Sequence, residues 1–381
     1  MRIASFNVEN LFERAVALNQ DQWTSNQGEN PSRWAAGRET LEIYSKLNAL
    51  LRKQTYTPAD QAQIIEYLIA LGLEKSDESK LVILRRNRGS LVKRPRGAPL
   101  QVVAGGRDDW IGWLELKREA VDEVATQNTA RVLKEVDADI VVVVEAEHRI
   151  SLCRFNEQVL ERIGGRPYDH VMLVDGNDER GIDVGLMTRS LAVIDSVRSH
   201  VDDRLGKESV FSRDCPEFHL RLASGEELVV LANHLKSKGY GTPAQSNAKR
   251  EAQARRVREI YEGLRKTGHA HIVIAGDFND TPDSGPLAPL LGEGSDLKDI
   301  SAHPNFDDGG RPGTYANGTK SNKIDYILFS PALFERVTAG GIDRRGVWGG
   351  KNGTLWPHFP EMTQASQAAS DHAAVWADLD L

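Results

Sequence analysis

From residue 118 to the end of the chain, fully apolar runs alternate with stretches of helical periodicity. The runs at 139–144 and 270–275 are apolar at almost every position, which is typical of strands covered on both faces. At 118–136 and about 246–265, apolar side chains recur every three or four residues, so we predict amphipathic helices there. Strands and helices that alternate in this way predict sheets covered by helices.

Residues 13–117 follow a different pattern. A first strand is predicted at 2–8, before this segment. The amphipathic stretch 37–53 and the start signal Thr57-Pro58 predict two helices. Residues 81–107 are rich in Gly, Pro and β-branched side chains and predict a short strand or hairpin. We therefore expect one domain over 1–381 that carries a mostly helical insertion, 13–117, after its first strand.

Composition narrows the class of protein. With 381 residues, 40% of them hydrophobic, the chain can bury a large core. It has no run of about 18 apolar residues that could span a membrane, and residues 1–6 lack the features of a signal peptide. Its two cysteines, Cys153 and Cys215, cannot supply a disulfide framework. We expect a cytoplasmic protein without a membrane span.

The net charge of −7 is unevenly distributed. Residues 81–107 contain no acid but seven cations, Arg85, Arg86, Arg88, Lys93, Arg94, Arg96 and Arg107. Such a patch can bind a polyanion on an acidic protein, so we predict that Arg85, Arg86 and Arg88 contact nucleic acid; the alternative is an ordinary solvated face. Trp110 and Trp113 are expected in the core of the insertion rather than as stacking platforms.

Polar residues follow or precede the apolar strands at five places: Asn7, Glu145, Asn233-His234, Asp277 with Asn279, and Asp371-His372. Open α/β sheets bind their ligands at the carboxyl ends of strands. Mg²⁺ takes one or two carboxylates and keeps several waters, which suits Glu145 with Asp371. Imidazoles and carboxamides can hold the nonbridging oxygens of a phosphate. Together these positions predict a metal-dependent phosphodiesterase.

The same segments resemble the endonuclease/exonuclease/phosphatase superfamily, a metal-dependent group that includes pancreatic-type deoxyribonuclease and neutral sphingomyelinases. The matching segments occur in the family's order: Ala-Ser-Phe-Asn-Val-Glu-Asn at 4–10, Val-Glu at 144–145, Arg-Gly-Ile-Asp-Val-Gly at 180–185, Asn-His-Leu-Lys-Ser at 233–237, Gly-Asp-Phe-Asn at 276–279, Lys-Ile-Asp-Tyr-Ile-Leu at 323–328 and Ser-Asp-His at 370–372. The resemblance covers roughly 1–12 and 118–381. With the apolar strands, it implies an α/β four-layered sandwich, two mixed β-sheets flanked by helices.

The resemblance also implies roles for individual residues. The metal, Mg²⁺ or alternatively Mn²⁺, would be bound by Asn7 and Glu145, with Asp371 as an additional ligand. Catalysis by in-line attack of water would use Asp277 to orient or deprotonate the water, Asn279 to hold the phosphate, His234 and His372 at the phosphate, and Asp325 to fix the ring of His372. The substrate would further be contacted by Arg180, Asn233 and Lys236.

Three functions remain open from the sequence. The first is a Mg²⁺-dependent nuclease, a DNA endonuclease by preference, because the 233–237 segment resembles bacterial nucleases and phosphodiesterases of the deoxyribonuclease and sphingomyelinase branches. Its partner would be nucleic acid, DNA in preference to RNA. The second is a phosphatase or phosphodiesterase for a lipid or small-molecule phosphoester, for which the loop 346–356 is the best candidate membrane-docking loop. The third is an inactive family member used as a binding module, against which the retained polar positions argue.

Overall fold

The computed structural model describes residues 1–18, 31–178, 180–238 and 242–381, and the side chains of 18 and 31–40 are left out of the description. The chain divides into two compact units. The larger comprises Met1–Phe12, Val121–Lys238 and Thr242–Leu381, and the smaller comprises Glu13–Ala120. Each has a hydrophobic core of its own. None of the described helices is long and apolar enough to cross a membrane.

In chain order the strands are β1 (Arg2–Asn7), β2 (Glu13–Ala15), β3 (Val82–Arg88), β4 (Val92–Lys93), β5 (Gln101–Val102), β6 (Ile111–Leu116), β7 (Arg118–Ala120), β8 (Ile140–Ala146), β9 (His170–Val174), β10 (Asp183–Thr188), β11 (Ala192–Arg198), β12 (Arg204–Leu205), β13 (Glu208–Ser209), β14 (Glu217–Leu222), β15 (Glu227–His234), β16 (Ile272–Asp277), β17 (Lys298–Asp299), β18 (Phe306–Asp307), β19 (Asp325–Phe329), β20 (Val337–Asp343) and β21 (Ala374–Leu379). The α-helices are α1 (Pro31–Leu51), α2 (Pro58–Ala70), α3 (Glu123–Val136), α4 (Arg149–Arg154), α5 (Pro243–Lys266), α6 (Ala288–Leu291) and α7 (Pro331–Phe334), and a π-helical turn, Phe155–Leu160, follows α4.

The larger unit contains two mixed sheets. One has the strand order β18-β20-β21-β1-β8-β10-β9 and the other β11-β14-β15-β16-β19-β17. β1 runs parallel to β8, and β15 runs parallel to β16, whereas the flanking strands are antiparallel. The predicted site residues occur at the carboxyl ends of these two central strand pairs and at the beginnings of β19 and β21.

Four layers follow from alternation along the central strands. In β8, Val142 and Val144 join a core shared by both sheets, whereas Val143 joins the layer that contains Leu133 of α3. In β16, Val273 faces the shared core, and its neighbours on the strand pack in the cluster of α5. Both strands are buried on two faces, which explains their apolar sequences. The predicted four-layered α/β sandwich is confirmed.

The smaller unit combines α1 and α2 with short antiparallel ladders: β2 with β7, β3 with β6, and β4 with β5. Helix α2 begins as predicted, because Thr57 accepts from the backbone of Asp60 in a capping box and Pro58 takes the first helical position. Trp110 is 1% exposed and belongs to the core. The expectation for Trp113 was wrong, because it lies on the outer face of β6 and is 50% exposed.

We expect Ile274→Ala to destabilise the larger unit by about 2–5 kcal/mol. The Ile274 side chain of β16 is fully buried in the cluster that includes α5, and its truncation leaves a cavity. Urea unfolding followed by circular dichroism measures the change. Ile150→Ala is the matched control, because Ile150 is 60% exposed and its truncation should change stability by less than about 0.5 kcal/mol. Equal effects of the two substitutions would contradict the burial of β16 on both faces.

Candidate active site

One edge of the sandwich collects side chains from four strands of both sheets. Asn7 ends β1, His234 ends β15, Asp277 ends β16, and Asp325 begins β19. Side chains alternate between the two faces of a strand, and all four positions fall on the face that their strand turns toward the shared core. The buried inner face therefore ends in four polar side chains, and pairing sets His234 and Asp325 opposite Asp277.

Glu145 reaches this edge through a bulge in β8. Val144 faces the shared core and Val143 faces outward, so regular alternation would turn residue 145 outward as well. The pairing of β8 with β10 shifts register at this point, and Glu145 has a left-handed φ of 65°. A bulge of this kind re-aims the side chain. As a result, Glu145 Oε1 lies 3.5 Å from His234 Nε2.

Asp277 is the centre of a buried hydrogen-bond network. Its Oδ1 accepts from the Asn279 backbone N–H at 2.8 Å. Its Oδ2 accepts from Nδ2 of Asn279 at 3.1 Å and from Nδ2 of Asn7 at 3.3 Å. Burial, followed by the charge of Asp325, raises the pKa of Asp277 to about 8. Two carboxamides and one backbone N–H thus orient the Asp277 carboxyl group.

His372 is held by Asp325 on one side and faces the other acids on the opposite side. Its Nδ1 lies 2.9 and 3.1 Å from the two Asp325 oxygens, and Thr314 Oγ1 donates to the same carboxylate at 2.6 Å. Its Nε2 lies 3.6 Å from Asp371 Oδ1 and 3.9 Å from Asp277 Oδ2. Burial alone would lower the pKa of His372, but the charge of Asp325 and its hydrogen bond raise it well above the usual value. Asp325 therefore fixes the orientation of the His372 ring.

The pKa of His234 shifts in the opposite direction. Burial, followed by the charges of Arg213 and Arg180, lowers its pKa well below the usual value. Its Nε2 lies 3.5 Å from Glu145 and 3.6 Å from Asp277, and among the described residues Nδ1 has no hydrogen-bond partner. A neutral ring with its proton on Nε2 fits these neighbours, because a carboxylate can only accept.

The carboxylates differ in their access to solvent. The side chains of Glu145 and Asp371 are 19% and 24% exposed, whereas those of Asp277 and Asp325 are each 2% exposed. The backbone of Asp371 is tied to the same edge, because its N–H donates to Glu9 Oε2 at 3.0 Å. An ion that arrives from solvent would meet the more open pair first.

Backbone strain is concentrated around this edge. Six described non-glycine residues have positive φ, and four of them belong to the segments that form this edge: Glu9 (49°), Asn10 (66°), Glu145 (65°) and Asn279 (56°). Such conformations cost about 1–3 kcal/mol each and persist where the surroundings fix them, most often at functional sites. At Asn10 the backbone N–H donates to the carbonyl of Glu145 at 2.9 Å, which ties two of these residues together.

A basic group lies beside His234. Arg180 Nη2 and Arg213 Nε lie 2.7 and 2.8 Å from the same oxygen of Asp178. Burial, followed by the charges of Arg213 and Arg180, lowers the pKa of Lys236 to about 7. The edge thus has an acidic part and a basic part. Sequence reasoning missed Asp178 and Arg213, which lie in loops without a motif, and also Thr314 behind Asp325.

The structure does not bring every predicted residue to this group. The Asn233 side chain lies on the other face of β15, where Nδ2 donates to the Leu231 carbonyl at 3.1 Å. The backbone carbonyl oxygen of Asn233 lies 1.8 Å from the place that a Cβ on residue 276 would occupy, so only glycine fits at position 276. Arg85, Arg86 and Arg88 are exposed on β3 of the smaller unit.

The donor set suits a hard divalent cation. Asp277, Asp325 and His372 offer ligand atoms within 4.8 Å of one another, but Asp325 and His372 already bond each other. Burial, followed by the charges of Asp325 and Glu145, raises the pKa of Asp277, while the charge of His372 lowers it. Carboxylate and carboxamide oxygens at an edge with partial solvent access are the ligands that Mg²⁺ accepts.

Comparison with known proteins identifies the family. The model of the Endonuclease/Exonuclease/phosphatase family matches residues 122–372, about two thirds of the chain. No curated protein matches significantly.

Solved structures with a similar fold include an endonuclease/exonuclease/phosphatase from Bacteroides vulgatus, 20% identical over 67% of this chain and 90% of that one, with a TM-score of 0.48. The mannosyl-6-phosphatase Bt3783 of Bacteroides thetaiotaomicron is 17% identical over 68% and 92%, with a TM-score of 0.49. Truncated TDP2 of Caenorhabditis elegans is 14% identical over 67% and 90%, with a TM-score of 0.46. These similarities are too low to transfer a substrate. The match of the family model shows that the chain belongs to the endonuclease/exonuclease/phosphatase family, whose members are metal-dependent phosphoesterases.

Proposed function

We propose that this protein is a Mg²⁺- or Mn²⁺-dependent phosphodiesterase that cleaves nucleic acid, with DNA endonuclease activity as the preferred form. The observation that carries the proposal is the pairing of two opposite environments at one edge. His372 Nε2 and His234 Nε2 lie 3.9 and 3.6 Å from the buried carboxyl of Asp277, and the pKa of His372 is raised whereas the pKa of His234 is lowered. Hydrolysis of a phosphodiester needs groups that accept and donate protons in this arrangement.

Asn7, Glu145 and Asp371 would hold the divalent metal, which would supply positive charge against the charge that develops on the phosphate and the leaving group. Asp277 would accept the proton of the attacking water, since a carboxylate with a pKa near neutrality is suited to that role. Asn7 and Asn279 orient that carboxylate through their amide groups.

His372 would contact the scissile phosphate through Nε2 or donate the proton that the leaving group requires. Asp325 fixes the ring by accepting from Nδ1, and Thr314 in turn fixes Asp325. His234 would donate from Nε2 to a phosphate oxygen. Arg180 and Arg213 share the single carboxylate of Asp178, so these three groups together carry one net positive charge, which would favour the approach of an anionic substrate.

Support for a polynucleotide comes from β3. Arg86 and Arg88 are bonded to neutral oxygens, the Ser90 hydroxyl at 3.2 Å and the Asp108 carbonyl at 3.0 Å. Within the described part of the chain neither has a carboxylate partner, so their charges remain available to phosphates. The 233–237 segment resembles bacterial nucleases and phosphodiesterases of the deoxyribonuclease and sphingomyelinase branches, and DNA is the substrate that we prefer over RNA. The free thiols of Cys153 and Cys215 support a cytoplasmic location.

A small phosphoester is the second candidate substrate, because the basic stretch is less charged than its sequence implies. Arg85 pairs with Glu115 at 2.8 Å, and Arg94 pairs with Asp77 at 2.7 Å, so acids outside 81–107 neutralise two of the seven cations. A lipid substrate has less support. In the loop 346–356, the Trp356 ring lies against two arginines and its Nε1 donates to the Val347 carbonyl at 3.0 Å, so the ring is engaged in the fold.

A divalent metal should stabilise the protein through the Glu145 carboxylate. At a hundredfold excess of Mg²⁺ over its Kd, we expect the unfolding temperature to rise by roughly 5 °C. Glu145→Gln should abolish this rise, and in chelator it should unfold at a higher temperature than the wild type, because one repelling charge is gone. Differential scanning fluorimetry measures both effects, with the exposed Glu161→Gln as the control. A Mg²⁺ response that persists in Glu145→Gln would refute the ligand assignment.

Hydrolysis of an aryl phosphodiester and of plasmid DNA should stop when the metal is chelated. Glu145→Ala and His372→Ala should each lower kcat by about 10² or more, the scale expected for losing a charge stabiliser or a proton-transfer group. Glu161→Ala and His170→Ala, which change residues outside the edge, serve as matched controls. Steady-state kinetics on purified protein gives the result, and full activity of either site variant would exclude the assigned role.

Binding to DNA should depend on the cations of β3. Replacing Arg85, Arg86 and Arg88 together by Gln should weaken binding of a DNA duplex in chelator and flatten its salt dependence by about 0.9 for each phosphate that is no longer neutralised. Hydrolysis of a small aryl phosphodiester should be unchanged. The control changes three exposed arginines of the larger unit, Arg204, Arg221 and Arg255. Fluorescence anisotropy at several salt concentrations measures the slope; an unchanged slope would favour the small phosphoester.

A further inference from the structure

Helix α5 carries two polar side chains that are completely buried. Arg250 and Gln253 are each 0% exposed and lie one helical turn apart. A buried arginine is costly unless its charge is paired and its donors are used. The hydrogen-bond partners of Arg250 and Gln253 therefore indicate which parts of the structure these two buried side chains hold in place.

Arg250 joins the two loops that leave β15 and β16. Its Nη1 donates to the Lys236 carbonyl, 2.6 Å away, in the first loop. Its Nε and Nη2 lie 3.0 and 2.8 Å from the Asp280 carboxylate in the second loop. Its Nη2 also donates to Asn247 Oδ1 at 2.7 Å, which fixes the guanidinium on its own helix.

Gln253 joins the first of these loops to a third one. Its Oε1 accepts from the Lys236 backbone N–H at 2.7 Å. Its Nε2 donates to the Val210 carbonyl at 3.2 Å and to Ser212 Oγ at 3.1 Å, directly before Arg213. The peptide of Lys236 is thus held on its N–H side by Gln253 and on its carbonyl side by Arg250.

These loops carry three of the groups proposed to act on the substrate, His234, Lys236 and Asn279, whereas His372 lies before β21 of the other sheet. His234 and Lys236 lie on the first loop or just before it, and Asn279 precedes Asp280 on the second. Asn279 Nδ2 also donates across to the Leu235 carbonyl at 3.1 Å, so the two loops are bonded directly as well. By contrast, Asn7 and Glu145 belong to β1 and β8 of the other sheet.

We propose that Arg250 and Gln253 are positioning residues, which set the loops of His234 and Asn279 against each other for turnover without contributing to metal binding. The proposal rests on the proposed function, since it names which part of that site the helix controls. The clamp formed by Arg250 and Gln253 acts on the second sheet only. Loss of the clamp should therefore lower kcat and leave the response to metal intact.

The test uses the full chain with Arg250→Lys, Arg250→Met combined with Asp280→Asn, and Gln253→Glu. Lys can pair with Asp280 but cannot also reach the Lys236 carbonyl with a planar fork. The double variant removes both charges of the buried pair, so that no unpaired charge is left in the interior; Lys238, the other partner of Asp280, has a side chain that is 57% exposed. Gln253→Glu keeps the acceptor for the Lys236 N–H and loses the donor to Val210. Arg255→Met, at an exposed arginine of the same helix, and the buried Val257→Ala are the controls.

Two readouts are needed. Amide hydrogen exchange, followed by mass spectrometry, should become at least tenfold faster at 234–238 and 279–281 in the Arg250 variants and unchanged in Arg255→Met. For an aryl phosphodiester, kcat should fall by about 10-fold or more while the Mg²⁺-induced rise in unfolding temperature is kept. Val257→Ala should lose stability and retain kcat, which separates positioning from a general loss of stability.

Three outcomes would overturn the proposal. Unchanged exchange in both Arg250 variants would show that the clamp does not hold the loops, whatever the activity. Faster exchange with unchanged kcat would leave the phosphodiesterase in place and exclude the positioning role. A wild-type protein without hydrolysis of any phosphodiester would refute the proposed function, and the positioning role would fall with it.

Discussion

The repulsion between carboxylates at the end of a buried face is the constraint on which this structure depends. Asp277 and Asp325 are paired across two strands, where water can hardly screen them. Glu145 is added to them by a strained bulge. A fold optimised for stability alone would not place three acids there, since proteins retain such costs where function requires them.

Each acid is held by a specific neighbour that limits this cost. His372 supplies a positive charge to Asp325, and the amides of Asn7 and Asn279 supply donors to Asp277. The negative charge that remains at the more exposed Glu145 is the charge that a divalent cation would neutralise. The two sheets divide this work. The first brings Asn7 and Glu145, with His372 just before its strand β21, whereas the second brings His234, Asp277 and Asp325.

Much of this edge could be predicted from the sequence, because strand periodicity extends beyond the apolar residues. Counting by two from the inward-facing Ile3, Val273 or Ile327 leads to Asn7, Asp277 and Asp325. Alternation gives the wrong face for Glu145, since nothing in an all-valine run announces the bulge. Alternation does, however, place the side chains of Asn233 and His234 on opposite faces of β15, because neighbouring residues of a strand face opposite ways.

Other features depend on distant pairing and could not be obtained from local pattern. Arg213 meets Asp178 only after both loops fold. The seven cations at 81–107 suggested an uncompensated patch, but strand pairing brings Glu115 of β6 beside Arg85. Charge counted along a segment overestimates the charge on a surface whenever the partner strand comes from outside that segment.

The most direct test of the account is the position of the metal. A crystal grown with Mn²⁺ and measured for anomalous scattering should show a strong peak about 2.1 Å from oxygens of Glu145 and Asn7. His372 should remain bonded to Asp325 in that crystal. A peak coordinated instead by Asp277, Asp325 and the ring of His372, or no peak at this edge, would contradict the division of labour between the two sheets.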